Sequence, residues 1–341
     1  MKKSESPLDA FSDWVTENLR KLGVEVAEET AVVEQPIGQK PTPVTKRVSL
    51  IIHNPIVPTA GNLPLNQALN WGDPDKLAAG YIDDLREISY GYVNYEIVER
   101  LEVNKFPRKL DGFTYKADEF AAAWKARTGF HTPDAVDYDA LLAEFDMIAK
   151  VNSGQIDEFW LFAFPYAGYY ESIMGGPDPF WCNAPPLTQT AVKAKRRFVI
   201  MGFNYQRGVG EMLEAFGHRA ESIMKYTFRN QQGDANLWQR FIRYDKTHPG
   251  LSEVGLMHFA PNSVKDYDWG NKTRVPARCD NWLNFPNLSG APRIVDCADW
   301  GDGNIRGHHQ WWFRRLPHIT GAANGIAYNW WQYIVDPNLV R

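Results

Sequence analysis

The chain has 341 residues, of which 44% are hydrophobic and 23% charged, with a formal net charge of -4 and a pI near 6.1. That length supports a core without staples, and either one large domain or two ordinary ones. The acidic balance excludes the basic surplus of a nucleic-acid binder, and no run of about 18 apolar residues is present to span a membrane.

The first residues, MKKSESPLDAF, carry lysines but no apolar run, so no signal peptide is read in this chain. The protein is expected in the cytoplasm, or outside the cell if a leader has been removed. Residues 1–45 read as an appendage. SPLDAFSDWVTENLRKLGV predicts a short helix, with Ser6 as N-cap and Pro7 at the first helical position. A Pro-rich polar linker follows. This segment is expected to dock on the body or on a partner.

Residues 46–341 read as a single α/β domain. RVSLIIHNP is an apolar run that predicts a strand buried on both faces. DPDKLAAGYIDDLREIS predicts a helix with Asp73 as N-cap, Pro74 at N1, and Leu77, Tyr81, Leu85 and Ile88 on one face. YVNYEIVERLEV is a second strand, DYDALLAEFDMIAKVNSG a helix that stops at Gly154, IDEFWLFAFP a third strand and RRFVIMGFNY a fourth. A helix from about Gly208 to Phe228 comes next. The alternation predicts a mixed sheet with flanking helices. From 250 to 341 Pro, Gly, Asn, Asp and Trp dominate, and the reading is a loop-rich wrap over the first half. Seven of the thirteen tryptophans fall in its last 73 residues, which suits an aromatic core or a stacking surface for sugars.

The segment GEMLEAFGHRAES carries the chemistry. At 100° per residue, Glu211, Glu214, His218, Glu221 and Lys225 fall within about 80° of one another, opposite an apolar stripe. Such a face can be merely the wet side of a surface helix, held by i,i+3 and i,i+4 pairs. The same geometry lets one helix offer several ligands to one ion, as H-E-x-x-H does. Glu with neutral imidazole suits zinc or another divalent transition metal. Gly217 beside His218 points to a close approach by another part of the chain.

The order of strand IDEFWLFAF, aromatic loop PYAGYYESIMGG, strand RRFVIMGF and a helix with EAFGH resembles the catalytic half of zincin-type metallopeptidases. There an edge strand precedes a helix carrying H-E-x-G-H. The resemblance covers roughly residues 150 to 225. Phe216-Gly217-His218 matches the end of that motif, Glu214 stands at its first His, and Ala215 stands at its catalytic Glu. The resemblance implies a zincin-like core with an altered ligand set. The chain as a whole also resembles a bacterial protein family without an established activity.

His258, in the apolar run GLMHFAPNS, is the best third ligand. His308 and His309 are next, and as strand neighbours only one of them would face a site. His53 ends the first strand, where α/β proteins often place functional groups. Metal ligands are thus expected at Glu214, His218 and His258, with Glu211 or Glu221 poising water. Glu171, in the aromatic loop, is a further catalytic candidate. Tyr169, Tyr170, Asp266, Asp268, Trp269, Trp311 and Trp312 are expected to contact substrate.

The runs DYDWGN and DWGDGN offer oxygens at alternating positions, which makes calcium a second candidate ion, although neither closes an EF-hand. Cys279 and Cys297 either pair as a disulfide or remain buried thiols. No G-x-S-x-G is present. The functional expectation is a metal-dependent hydrolase acting on a peptide or glycan in an aromatic-lined cleft. The alternatives are a metal-free glycoside hydrolase with paired carboxylates, or a non-catalytic carbohydrate-binding protein.

Overall fold

The computed structural model describes residues 38–341. The expected N-terminal helix with its Ser6 cap lies outside the described residues. Omitting short turns and two-residue strands, the first half runs β1 (Val44–His53), α1 (Pro74–Ile88), β2 (Val93–Val103), α2 (Ala117–Ala126), α3 (Tyr138–Glu144), α4 (Met147–Asn152), β3 (Glu158–Ala163), β4 (Ser172–Gly175), β5 (Phe198–Asn204) and α5 (Val209–Thr227). The fold is α/β with a mixed five-stranded sheet ordered β2-β1-β3-β5-β4. The four long strands are parallel, and β4 runs antiparallel along the β5 edge.

Side-chain alternation explains why the central strands are apolar on both faces, whereas the edge strand β2 alternates buried and exposed residues. Leu50, Ile52, Trp160, Phe162, Met201 and Phe203 join one core, which α1 and α5 cover. Ile51, Phe159, Leu161 and Ile200 join another, which α3 and α4 cover. Asp73 caps α1 as expected, accepting from the N–H of Asp75 at 2.9 Å and of Lys76 at 3.2 Å. The single helix expected over residues 137–154 is broken in two. Asp146 turns left-handed at φ 50°, which lets both Phe145 and Met147 point into the core.

One buried ion pair ties α5 to the centre of the sheet. Glu158 on β3 and Arg219 on α5 approach to 2.7 Å, with side chains 3% and 1% exposed. Trp160 Nε1 donates to Glu158 at 2.8 Å, and Arg219 Nε donates to the carbonyl of Ile334 at 3.0 Å. The opposite charges offset the cost of taking both groups out of water, although one terminal guanidinium nitrogen of Arg219 makes the ion pair without a hydrogen bond of good geometry.

The second half contains more helix than its sequence shows: α6 (Leu237–Phe241), α7 (Ile305–Phe313) and α8 (Trp331–Val335). Asn304 caps α7 through the N–H of Gly307 at 2.8 Å. His308 and His309 therefore sit on a helix, not a strand, and both are fully buried. The chain's last turns fold back on the sheet, with Lys46 paired to Asp336 at 2.9 Å and Arg197 donating to the carbonyls of Pro337 and Val340, each at 2.9 Å. Cys279 and Cys297 are free thiols. They flank opposite ends of the ladder that pairs Val275 with Val295 and Ala277 with Arg293, which keeps their sulfurs apart. Among the described residues, no helix is long and apolar enough to cross a membrane.

Removing one partner of the Glu158–Arg219 pair leaves the other charge buried alone. Arg219→Met or Glu158→Gln should each cost about 3–5 kcal/mol, and the double variant less than the sum, in urea unfolding.

Candidate metal centre

Helix α5 starts where Glu211 Oε2 accepts the N–H of Gly208 at 3.1 Å, so Glu211 serves as a cap. One turn on, Glu214 is buried, contrary to the wet face that the sequence allows, and His218 is half-buried. A second segment crosses the helix at Gly217. A Cβ there would overlap Met257 Sδ and Cγ, so the Met257 side chain packs into the space that glycine leaves. That segment is bolted in place. Met257 N donates to Glu221 Oε1 at 2.8 Å, Trp269 Nε1 to the Met257 carbonyl at 2.9 Å and Trp312 Nε1 to the Gly255 carbonyl at 2.9 Å.

This crossing brings His258 to the helix. Glu214, His218 and His258 each present one ligand atom within 4.8 Å of the other two, and the group could hold a metal ion. The separations are 2.7 Å from His258 Nε2 to Glu214 Oε1, 2.9 Å between the two Nε2 atoms, and 3.9 Å from His218 Nε2 to Glu214 Oε1. Tetrahedral bonds of zinc length place donors about 3.3 Å apart, within that spread. The outer nitrogens are also held. Glu221 Oε2 lies 2.9 Å from His218 Nδ1, and Asp266 Oδ1 lies 3.1 Å from His258 Nδ1. A carboxylate on Nδ1 fixes the ring and leaves Nε2 to bind, as in known metal sites.

Without metal, opposite charges hold the cluster together. Burial opposes ionisation of Glu214, but hydrogen bonds from His218 and His258 outweigh it and hold the carboxyl at about 2. Burial likewise opposes charge on His218, and Glu214 and Glu221 outweigh it, raising the imidazole to about 10. His258 is raised as well, against its burial, chiefly by Glu214.

The other expected residues divide. Glu171 and Glu211 line one cavity of 240 Å³ with Ala215 and Arg207, and Glu171 accepts from Asn183 Nδ2 at 2.6 Å. The Glu171 charge reaches His218. Tyr169 lines the same cavity but its hydroxyl meets His53 Nδ1 at 2.8 Å, and Tyr170 stacks on Tyr138. Asp268 organises its own turn, accepting from Val264 N at 3.0 Å and Asn271 Nδ2 at 2.9 Å. In the other acidic run Asp299 accepts from Asp296 N and pairs with Arg293. These carboxylates are committed to their own loops, and among the described residues neither run gathers a metal-holding group. Trp269, Trp311 and Trp312 are buried, so they are core rather than an open platform for substrate. Packing explains it: Trp312 meets Phe241 edge-on at 5.2 Å, and Trp269 stacks on His308 at 5.5 Å.

Sequence reading missed Trp181, which is 58% exposed. It borders a 640 Å³ cavity with Trp238, Ile242 and Leu256, and His218 and Glu221 form another wall. Nothing in its local sequence, PFWCN, separates it from the buried tryptophans. Compared with protein-family models, curated proteins and solved structures, the chain finds no match.

Gly217→Ala should destabilise the protein by about 1–3 kcal/mol through overpacking on Met257. Met257→Ala in the same chain should recover part of the loss, read by urea unfolding of the single and double variants.

Proposed function

We propose that the protein is a metal-dependent hydrolase, with Glu214, His218 and His258 as metal ligands and a peptide as substrate. The observation that carries this reading is the pairing of three converging donors with carboxylates on both outer imidazole nitrogens. Zinc or another first-row divalent ion bound there would lower the pKa of a water and polarise a carbonyl. Glu221 and Asp266 orient the two rings. Ala215 offers no base, and that role falls in this reading to Glu171, which lines a cavity with Ala215. The cavity beside Trp181 takes an apolar side chain of the substrate. The antiparallel edge strand β4, followed by β5 and the helix with Phe216-Gly217-His218, supports a zincin-like core.

A second reading, a metal-free glycoside hydrolase, draws on Glu171 and Glu211 facing one cavity. Burial of Trp269, Trp311 and Trp312 weakens it, because those rings cannot stack on sugar.

Metal analysis decides between them. Protein prepared without tag or chelator should carry near-stoichiometric transition metal, and His218→Ala should lose it together with any peptidase activity. A metal-free wild type after supplementation would sink the first reading. The pH dependence has a defined sign. Without metal His218 keeps its proton up to about 10, whereas Glu214, at about 2, has already lost its own. Binding to neutral imidazole must expel that proton, so affinity should rise about tenfold per pH unit below that limit, and more steeply where His258 is protonated as well. Calorimetry in buffers of different ionisation enthalpy should register proton release.

A further inference from the structure

A third imidazole lies near Glu214. His309 on α7 is 0% exposed. Its Nδ1 is 3.1 Å from Nδ1 of His308, and its Nε2 is buried with no hydrogen-bond partner. Helix α7 runs alongside α5, with Gly210 against Ile305 and the ring of Phe216 5.5 Å from that of Phe313, so Glu214 and His309 stand at matching positions of the two helices. Trp269 spans the gap, with its ring 5.2 Å from that of His309 and 6.5 Å from that of His258. The two helices approach closely, since a Cβ on Gly210 of α5 would stand 2.7 Å from Ile305 Cγ2 of α7.

The wiring repeats that of the other two rings. His218 has Nδ1 on Glu221, His258 has Nδ1 on Asp266, and His309 has Nδ1 on His308. Two facing nitrogens share one proton, so one neutral ring donates and the other accepts. Nε2 of His308 is buried without a partner as well, but it is His309 that stands level with Glu214, and a buried orphan nitrogen there calls for a water or an ion.

We propose that His309 is a fourth donor to the metal centre, binding through Nε2 while its Nδ1–H donates to His308 Nδ1. The proposal rests on the metal-centre reading above. His309 is not among the three donors that already stand within 4.8 Å of one another, so binding the ion draws its ring inward. The donor set becomes one carboxylate and three imidazoles. Four protein donors close a tetrahedral zinc site and leave no position for water. Manganese, iron, cobalt or nickel, which take five or six ligands, keep a position open with the same four donors. The hydrolytic ion therefore belongs to that class.

The test uses the whole chain loaded with cobalt(II). X-ray absorption on the wild type should count three imidazoles in a five- or six-coordinate sphere. His309→Gln and His309→Ala should bind cobalt at least tenfold to a hundredfold more weakly, about the loss seen when even an outer partner is removed. A count of three in the wild type supports the proposal even if both variants fail to fold. Two imidazoles in the wild type, with affinity unchanged in the His309 variants, would overturn it and leave the three-donor centre standing. No cobalt uptake by the wild type would overturn the metal-centre reading and this proposal together.

Discussion

The Glu158–Arg219 ion pair sets the rotation of α5, and the site follows from that rotation. Arg219 is locked beneath the helix against β3. One residue on a helix is about 100° of turn, so fixing Arg219 fixes His218 beside it. His218 and Glu214 then face outward and sideways together, one turn apart. Had the helix been held only by its apolar stripe, small rolls would cost little, because side chains such as Met212 and Leu213 tolerate repacking. A charge pair buried to this degree does not tolerate them. The pair therefore acts less as a source of stability than as a stop on rotation, the use for which buried ionic groups are best suited.

Onto that fixed helix the chain lays one short segment, whose Met257 side chain fills the space left by Gly217. Residues 255–259 touch α5 where the helix has no side chain, and Glu221 serves both partners. One of its oxygens holds the backbone of Met257 and the other holds the ring of His218. A single carboxylate thus registers the loop against the helix and aims the ring of His218. The same face that an ordinary amphipathic helix would turn to water is half-covered, and Glu214 is taken inside.

The parts legible in the sequence were those with a strong local pattern. Three strands showed because each holds a continuous apolar run, β2 because it is rich in Val, Ile and Tyr with alternating polar residues, and α5 because its apolar stripe is long. Glu214 and His218 were legible from their spacing, and His258 from being a lone histidine in an apolar stretch. Strand β4 was hidden because it is four residues long and ends in glycine. Helix α7 was hidden because IRGHHQWWF has few polar positions to mark an outer face, and its histidines were assigned to a strand for that reason. Exposure of tryptophan could not be read at all. Trp181 and Trp312 have similar neighbours in sequence and opposite fates, since burial depends on what the distant chain brings to cover each ring. The carboxylates that hold Nδ1 atoms fall between. Glu221 was named for its position on α5, but its bond to the Met257 backbone comes from the fold alone.

The arginine that stops the rotation of α5 completes its bonding only with the carbonyl of Ile334, 115 residues further along. Lys46, in the first strand, waits still longer for Asp336, 290 residues away. Contacts of such separation form late, because loop closure must come before they gain anything. On the ribosome, β3 and α5 emerge well before their last partner does. Until then a half-bonded guanidinium and an unshielded sheet must be carried by the nascent chain, a period of exposure in which chaperones act. Complete anchoring of α5 thus waits on a segment more than a hundred residues downstream, with Arg219 and Ile334 115 apart.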